Sequence, residues 1–123
     1  MPMRKNLEGG YANCPIRDVL DRIADRWSLL VLTSLRDGTL RFSELRRAIG
    51  DISQRMLSLT VRRLEQDGVV SRTVHPTVPP SVEYSLTDLG RSVLEPVGAL
   101  VEWAKAHQEA IHAIREQKQN LAG

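Results

Sequence analysis

The sequence predicts a mainly α-helical fold of the α+β class, in which several helices are followed by a two-stranded β-hairpin and a long final helix. Three observations support this prediction. Residues 52–68 repeat apolar side chains at helical spacing, and residues 53–64 contain no acid. Residues 69–86 hold two stretches rich in β-branched side chains on either side of a proline-rich segment. Residues 88–116 continue an apolar helical pattern beyond the usual length of a helix in a small domain.

Length and composition suit one small domain. The chain has 123 residues, which we divide into a flexible arm (1–12), the domain with its terminal helix (13–118) and a flexible tail (119–123). The net charge of +2 does not by itself indicate nucleic acid. No apolar run reaches the roughly 18 residues of a membrane span, and the N-terminus lacks the apolar core of a secretion signal. With Cys14 as its single cysteine, the chain has no intrachain disulfide, and a cytoplasmic protein is expected.

The first helix is predicted at about residues 15–25. Proline is favoured at the first helical position, and Ile16 and Leu20 belong to one apolar stripe. Cys14 would then lie beside the N-cap, where the helix dipole and Arg17 favour its thiolate and a nearby acid opposes it. Two interpretations stay open: a sensor thiol, or a half-buried cysteine without a role.

Two further helices lead to the basic stretch. Residues 27–36 are apolar on nearly every side, so this helix is expected in the centre of the domain with Trp27 in the core. A short strand is expected at residues 40–42. Phe42, Leu45 and Ile49 point inward from a helix over about 43–48, and residues 50–52 form a glycine-containing turn into the next helix. Helix, short turn and helix form the helix-turn-helix pattern.

The helix at residues 52–68 has one apolar face and one cationic face. Ser53 is a favourable N-cap, and Gly68 can supply the left-handed residue that closes the helix. Leu57, Val61 and Leu64 form the inward stripe. Arginine can bond guanine, a hydroxyl can bond several base edges, and an aliphatic group can contact a thymine methyl. The residues predicted to read base edges in the major groove of DNA are Gln54, Arg55, Ser58, Leu59 and Arg62.

Positive charge is concentrated around this pattern. Residues 41–72 contain seven arginines against four acidic residues, a local net charge of +3 in a chain whose total is +2. Such side chains can make sequence-independent contacts with phosphate. The residues predicted to contact the DNA backbone are Arg41, Arg46, Arg47, Ser53, Arg63, Arg72 and His75.

A β-hairpin is predicted directly after this helix. VVSRTV and VEYSLT alternate roughly as strands do, and three prolines stiffen the segment between them. A hairpin in this position is the wing of a winged helix-turn-helix, and Arg72 and His75 could reach phosphate from it. For His75, a solvent-exposed loop histidine is an equally open interpretation.

The final helix is predicted at about residues 88–116, capped by Thr87 and Asp88. Its apolar surface exceeds what a domain of this size needs, so a second copy of the chain is the simplest partner. A helix that folds back on its own domain is the alternative. The predicted dimer-interface residues are Ile16, Leu20, Leu100, Trp103 and Ile111.

Four segments of the chain resemble one known family. They read CPIRDVLDRIADRWSLLVLTSL, RFSELRRAIGDISQRML, VPPSVEYSLTDLG and VEWAKAH. Together they resemble the HxlR-type regulators, which are MarR-like winged helix-turn-helix transcription factors. The resemblance covers about residues 14–111.

The resemblance implies a homodimer that binds a pseudo-palindromic operator in double-stranded DNA, with its interface on the first and last helices. Family members repress or activate genes in response to aldehydes, quinones and oxidants, some through a cysteine where Cys14 stands. An electrophile or small-molecule effector, acting at Cys14 or near the dimer interface, is therefore expected. The family often has an aromatic residue in place of His75 and a basic one in place of Ser81, so this wing is less basic than usual.

Two other classes of function compete with this one. A winged-helix module that binds protein without specific DNA binding is the alternative, but a protein interface core favours aromatic residues over concentrated arginine. An enzyme is not expected, because the sequence offers no nucleophile–base pair, metal-ligand cluster or phosphate-binding glycine loop. No cofactor or metal is expected either.

Overall fold

The computed structural model describes residues 15–122, with the side chain of residue 122 left aside. Its elements, in chain order, are α1 (Pro15–Ile23), α2 (Arg26–Ser34), β1 (Leu40–Arg41), α3 (Phe42–Ile49), α4 (Gln54–Gln66), β2 (Val70–His75), β3 (Ser81–Leu86) and α5 (Asp88–Ala122). The predicted α+β class, a winged helix-turn-helix with a long C-terminal helix, is confirmed. Cys14 and the predicted arm at residues 1–12 lie outside the described residues.

The described chain divides into two compact units, residues 15–92 and residues 93–122. The first contains all elements up to the opening turn of α5, and the second is the remainder of that helix. None of the helices in the described range has the length and hydropathy to cross a membrane.

The core of the first unit is built from α2, α3, α4 and the sheet. Val31 and Leu32 in the sequence's most apolar helix, and Leu35 at its C-cap, are fully buried, as predicted. They are joined in the core by Leu45, Ile52, Leu57, Val61, Leu64, Val70, Tyr84 and Leu86. Helices α2, α3 and α4 thus each bury apolar side chains, and the hydrophobic effect fixes which face of each turns to water.

The α2 helix begins earlier than the sequence analysis predicted. Asp25 is its N-cap, and its carboxylate accepts a hydrogen bond from the Ser28 backbone at 3.0 Å. Trp27 was predicted in the core, but it is only half-buried, and the Arg26 guanidinium lies 4.0 Å above its ring. The physical reason is that a large indole at the first turn of a helix has one face left to cover, and a cation covers it favourably.

The sheet has the order β1-β3-β2 and is antiparallel throughout the described strands. The wing strands pair from Val70 with Leu86 to His75 with Ser81. The short strand predicted near residue 40 is confirmed as β1, which pairs Leu40 with Tyr84. This third strand anchors the hairpin to the segment that opens α3.

The start of α5 is fixed to the end of α4. The Thr87 hydroxyl accepts a hydrogen bond from the Gly90 backbone at 3.1 Å and donates one to the Gly68 carbonyl at 2.6 Å. The predicted cap is thus confirmed for Thr87. A side chain at Gly90 would overlap the Val69 carbonyl oxygen, so only glycine allows this close approach.

The α5 helix runs to Ala122, beyond the end predicted at about residue 116. The predicted flexible tail at residues 119–123 is therefore helical through Ala122. The physical reason is local, because residues 115–119 read REQKQ, all good helix formers without a breaker.

Candidate nucleic-acid interface

The turn between α3 and α4 sets the angle at which α4 leaves the domain. Gly50 has a φ of 101°, a left-handed conformation that favours glycine. Ile52 is buried, and its carbonyl accepts a hydrogen bond from Arg46 Nε at 3.1 Å. The Ser53 hydroxyl caps α4 by accepting a hydrogen bond from the Met56 backbone at 3.0 Å. The predicted helix-turn-helix and the Ser53 N-cap are confirmed.

The α4 helix has the two faces that its sequence predicts. Leu57, Val61 and Leu64 are buried, and Thr60 between them donates to the Met56 carbonyl at 2.7 Å. The five predicted base-reading residues are all exposed: Gln54, Arg55, Ser58, Leu59 and Arg62. Their exposure leaves these side chains free to reach another molecule, and the base-reading role itself stays a prediction.

The arginines around α4 keep their charges free of carboxylates. Within residues 15–122, ion pairs involve Arg17, Arg22, His75 and Lys105, and none involves the seven arginines of residues 41–72. The predicted backbone-contacting arginines are exposed: Arg41, Arg46, Arg47, Arg63 and Arg72. Unpaired, solvent-exposed cations of this density attract a polyanion and release its counterions on binding.

His75 has a partner inside the wing that the sequence analysis did not anticipate. Its Nε2 lies 2.8 Å from Glu83 Oε1 on the neighbouring strand. Exposed valines lie on both sides of His75: Val74 precedes it on the strand, and Val78 lies at the wing tip. Arg72 is therefore the one cationic side chain of the described wing strands that has no acidic partner.

Two depressions flank α4 on its exposed side. One, of about 480 Å³, lies between α4 and the wing, and Arg62 of the helix and Arg72 of β2 line it together with Tyr84. The other, of about 470 Å³, lies against α3 and is lined by Arg46 and Arg47. Gln54 lines both, so it occupies the junction between the α3 surface and the wing surface.

The predicted dimer-interface residues lie on two helices, each described in its own unit. On α1, Ile16 and Leu20 are exposed, and no residue of that helix is buried. On α5, Leu100 and Trp103 are exposed, and Ile111 is half-buried. The Trp103 ring stacks on His107, with ring centroids 4.8 Å apart.

One contact near α4 was not predicted from the sequence. Arg22, in the last turn of α1, places its Nε 2.6 Å from Asp67 Oδ2 at the C-cap of α4. The hydrogen bond to Asp67 raises the pKa of the Arg22 guanidinium, against a smaller opposing effect of burial. Periodicity cannot reveal such a contact, because 45 positions separate the two residues.

Comparison with known proteins agrees with this geometry. The family model described as HxlR-like helix-turn-helix matches residues 22–112. The HTH-type transcriptional regulator YtfH of Escherichia coli is 48% identical over 105 residues, which cover 85% of this chain and 83% of YtfH.

Two solved structures of similar proteins carry redox descriptions. The redox regulator HypR in its reduced form is 43% identical, with a TM-score of 0.73 over 80% of this chain and 98% of HypR. Diamide-treated YodB of Bacillus subtilis is 33% identical, with a TM-score of 0.65 over 77% of this chain and 95% of YodB. Family, fold and exposed basic helix agree, and the chain belongs to the HxlR-like helix-turn-helix family of transcriptional regulators.

Proposed function

We propose that the chain acts as a homodimeric, sequence-specific DNA-binding regulator in which α4 enters the major groove. The observation that carries this proposal is the two-faced α4, buried along Leu57, Val61 and Leu64 and exposed along a face with unpaired arginines. In this mechanism Arg55, Ser58 and Arg62 bond base edges, Leu59 contacts a thymine methyl, and Gln54 bonds adenine or phosphate.

The surrounding cations position the helix on the duplex. Arg46 and Arg47 of α3 approach one phosphate strand, while Arg63 and Arg72 approach the backbone on the wing side. Arg41 and Ser53 add contacts at the starts of α3 and α4. His75 contributes less, because its imidazole is paired with Glu83 at 2.8 Å.

The exposed apolar surfaces of α1 and α5 support dimerisation. Exposed Ile16, Leu20, Leu100 and Trp103 support burial against a second copy, which removes apolar area from water. A two-fold dimer presents two α4 helices to half-sites about 34 Å apart, and a pseudo-palindromic operator mirrors that symmetry.

Regulation is assigned to Cys14 or to a small ligand near the dimer interface. The support is the similarity to HypR, described as a redox regulator, and to YodB, solved after diamide treatment. Because Cys14 is the single cysteine, its oxidation joins two subunits or captures a small thiol, whereas an electrophile alkylates it. If Cys14→Ser responds to oxidants and electrophiles as the native protein does, thiol switching is excluded.

The proposed function is tested by a fluorescence titration of the protein with the DNA upstream of its own gene, and with scrambled DNA, at two salt concentrations. We expect the specific DNA to bind about 10³-fold more tightly and to lose affinity steeply with salt. Equal, weak binding to both DNAs would mean that the operator lies elsewhere in the genome or that specific binding needs a ligand. If neither DNA bound at low salt, the DNA-binding function would be rejected and a protein-binding module would be favoured.

A further inference from the structure

The α1 helix lies on its domain without a buried side chain. Ile16, Val19 and Leu20 are all exposed, so apolar burial within the described chain does little to hold this helix in place. Apart from the half-buried Ile23, the contacts that define its position are therefore polar ones at its C-terminal end.

Those polar contacts converge on Arg22. On the backbone side, the buried Ser28 of α2 donates its hydroxyl to the Arg22 carbonyl at 2.9 Å. On the side-chain side, the guanidinium donates to Asp67 at 2.6 Å, to the Gln66 side chain at 3.4 Å and to the Arg63 carbonyl at 3.5 Å. One residue thus connects α1, α2 and the last turn of α4.

The chemistry of this contact suits the end of a helix. The C-terminal carbonyl end of α4 carries a partial negative charge, and the Arg63 carbonyl accepts from Arg22 in addition to the Asp67 backbone at 3.0 Å. A planar guanidinium can bond a carboxylate and a carbonyl at once, which a lysine ammonium does less specifically. The N-terminal end of α4 is held by the Ser53 cap and by the bond from Arg46 to the Ile52 carbonyl. Arg22 holds the opposite end.

We propose that Arg22 is a positioning residue for DNA recognition: through Asp67 and the last turn of α4 it holds the base-reading face at the angle that specific binding needs. Arg22 itself contacts no DNA in this arrangement. The inference rests on the proposed function, since it assigns a role in the same recognition event. Any displacement of α1 reaches α4 through this side chain.

The test compares Arg22→Ala with Arg17→Ala in the full chain. Arg17→Ala is the matched control, because it removes the same charge from the same helix and, among the described residues, Arg17 forms an ion pair with Asp21 of α1 alone, at 3.7 Å. The first readout, without DNA, is amide hydrogen exchange over residues 63–68. In Arg22→Ala we expect the exchange protection factors of these amides to fall about tenfold, because one charge-assisted hydrogen bond is lost. Arg17→Ala should leave them unchanged.

The second readout is the ratio of affinities for specific and scrambled DNA. Arg22→Ala should lower this ratio about tenfold by weakening specific binding, because scrambled binding depends on phosphate contacts that remain. Exchanging the charges in the double variant Arg22→Asp with Asp67→Arg should recover part of the ratio, because it restores the ion pair but not the bonds to the Arg63 carbonyl and Gln66. Arg22→Lys keeps the positive charge but loses the planar guanidinium, so we expect an affinity ratio between those of the native protein and Arg22→Ala. If the alanine variant does not fold, the lysine variant provides the same test.

Three results would overturn the proposal. They are unchanged exchange over residues 63–68 in Arg22→Ala, equal losses for specific and scrambled DNA, and failure of the charge exchange to recover either readout. If the native protein bound no specific DNA, the proposed function would fail, and so would the recognition role of Arg22. The exchange experiment would then still report whether Arg22 holds the end of α4.

Discussion

The α4 helix and the C-terminal segment of α5, residues 93–122, expose opposite kinds of surface. On α4 the apolar stripe is buried in its own domain and the exposed face carries unpaired arginines. On the α5 segment Leu100, Trp103 and Ile114 are exposed beside charged residues. A helix with a cationic outer face is suited to a polyanion, whereas exposed apolar residues at helical spacing are suited to another protein surface.

The same residue type therefore has different roles on the two segments. Leucine on α4 stabilises the fold when it faces inward, and leucine on the α5 segment is available to a partner.

The largest effect on association is expected from Leu100→Asp combined with Trp103→Ala. A charge and a lost aromatic at a protein interface should raise the dimer dissociation constant by about 100-fold or more. Sedimentation over a range of concentrations measures this constant. Lys105→Ala is the control, because Lys105 is exposed and pairs only with Glu102, at 3.7 Å. An unchanged dissociation constant would assign the dimer to another surface.

Leucine truncation on α4 tests the inward and outward faces of a single helix. Leu64 is 0% exposed and Leu59 is 38% exposed. Leu64→Ala should lower the free energy of unfolding by about 2–5 kcal/mol, whereas Leu59→Ala should lower it by less than about 1 kcal/mol. Denaturant titration measures both values. Similar losses in the two variants would contradict the two-faced description of α4.

Arg62→Ala tests the cationic face. Loss of a guanine contact should weaken specific DNA binding by about 1–3 kcal/mol with little change in thermal stability. Arg115→Ala removes an exposed arginine of the α5 segment and serves as the control. If both variants lost the same affinity, net charge and not a base contact would account for the effect.

The smallest effect is expected from Glu83→Gln in the wing. The substitution weakens the half-buried contact of His75 with Glu83, and surface pairs of this kind contribute about 0–1 kcal/mol, so folding should barely change. Removing the acid that stands opposite Arg41 in the sheet should raise DNA affinity by a factor of a few at low salt, as measured by titration at two salt concentrations. A loss of affinity would show instead that the contact between His75 and Glu83 maintains the wing conformation that binds DNA.

Local patterns predicted most of the fold. The Ser53 cap, the Gly50 turn, the inward stripe of α4 and the two wing strands all follow from interactions between residues close together in the chain. The same patterns predicted which arginines face outward around α4. The proposed roles of individual arginines on DNA go beyond periodicity, because base contacts depend on the angle at which the helix lies.

The boundaries and the half-burial of Trp27 were harder to predict. Asp25 starts α2 earlier than the apolar run suggests, and α5 continues to Ala122 through residues that are polar but favour a helix. Apolar periodicity marks where a helix is buried, and therefore misses helical turns that are exposed.

The sequence by itself determined the order of elements, the faces of the helices and the concentration of positive charge, because these depend on side-chain type and short-range spacing. Only the tertiary structure decided that Arg22 reaches Asp67, that β1 pairs with β3, and that Gly90 approaches Val69. Those contacts join residues far apart in the chain, and they form only after the hydrophobic core has brought the elements together.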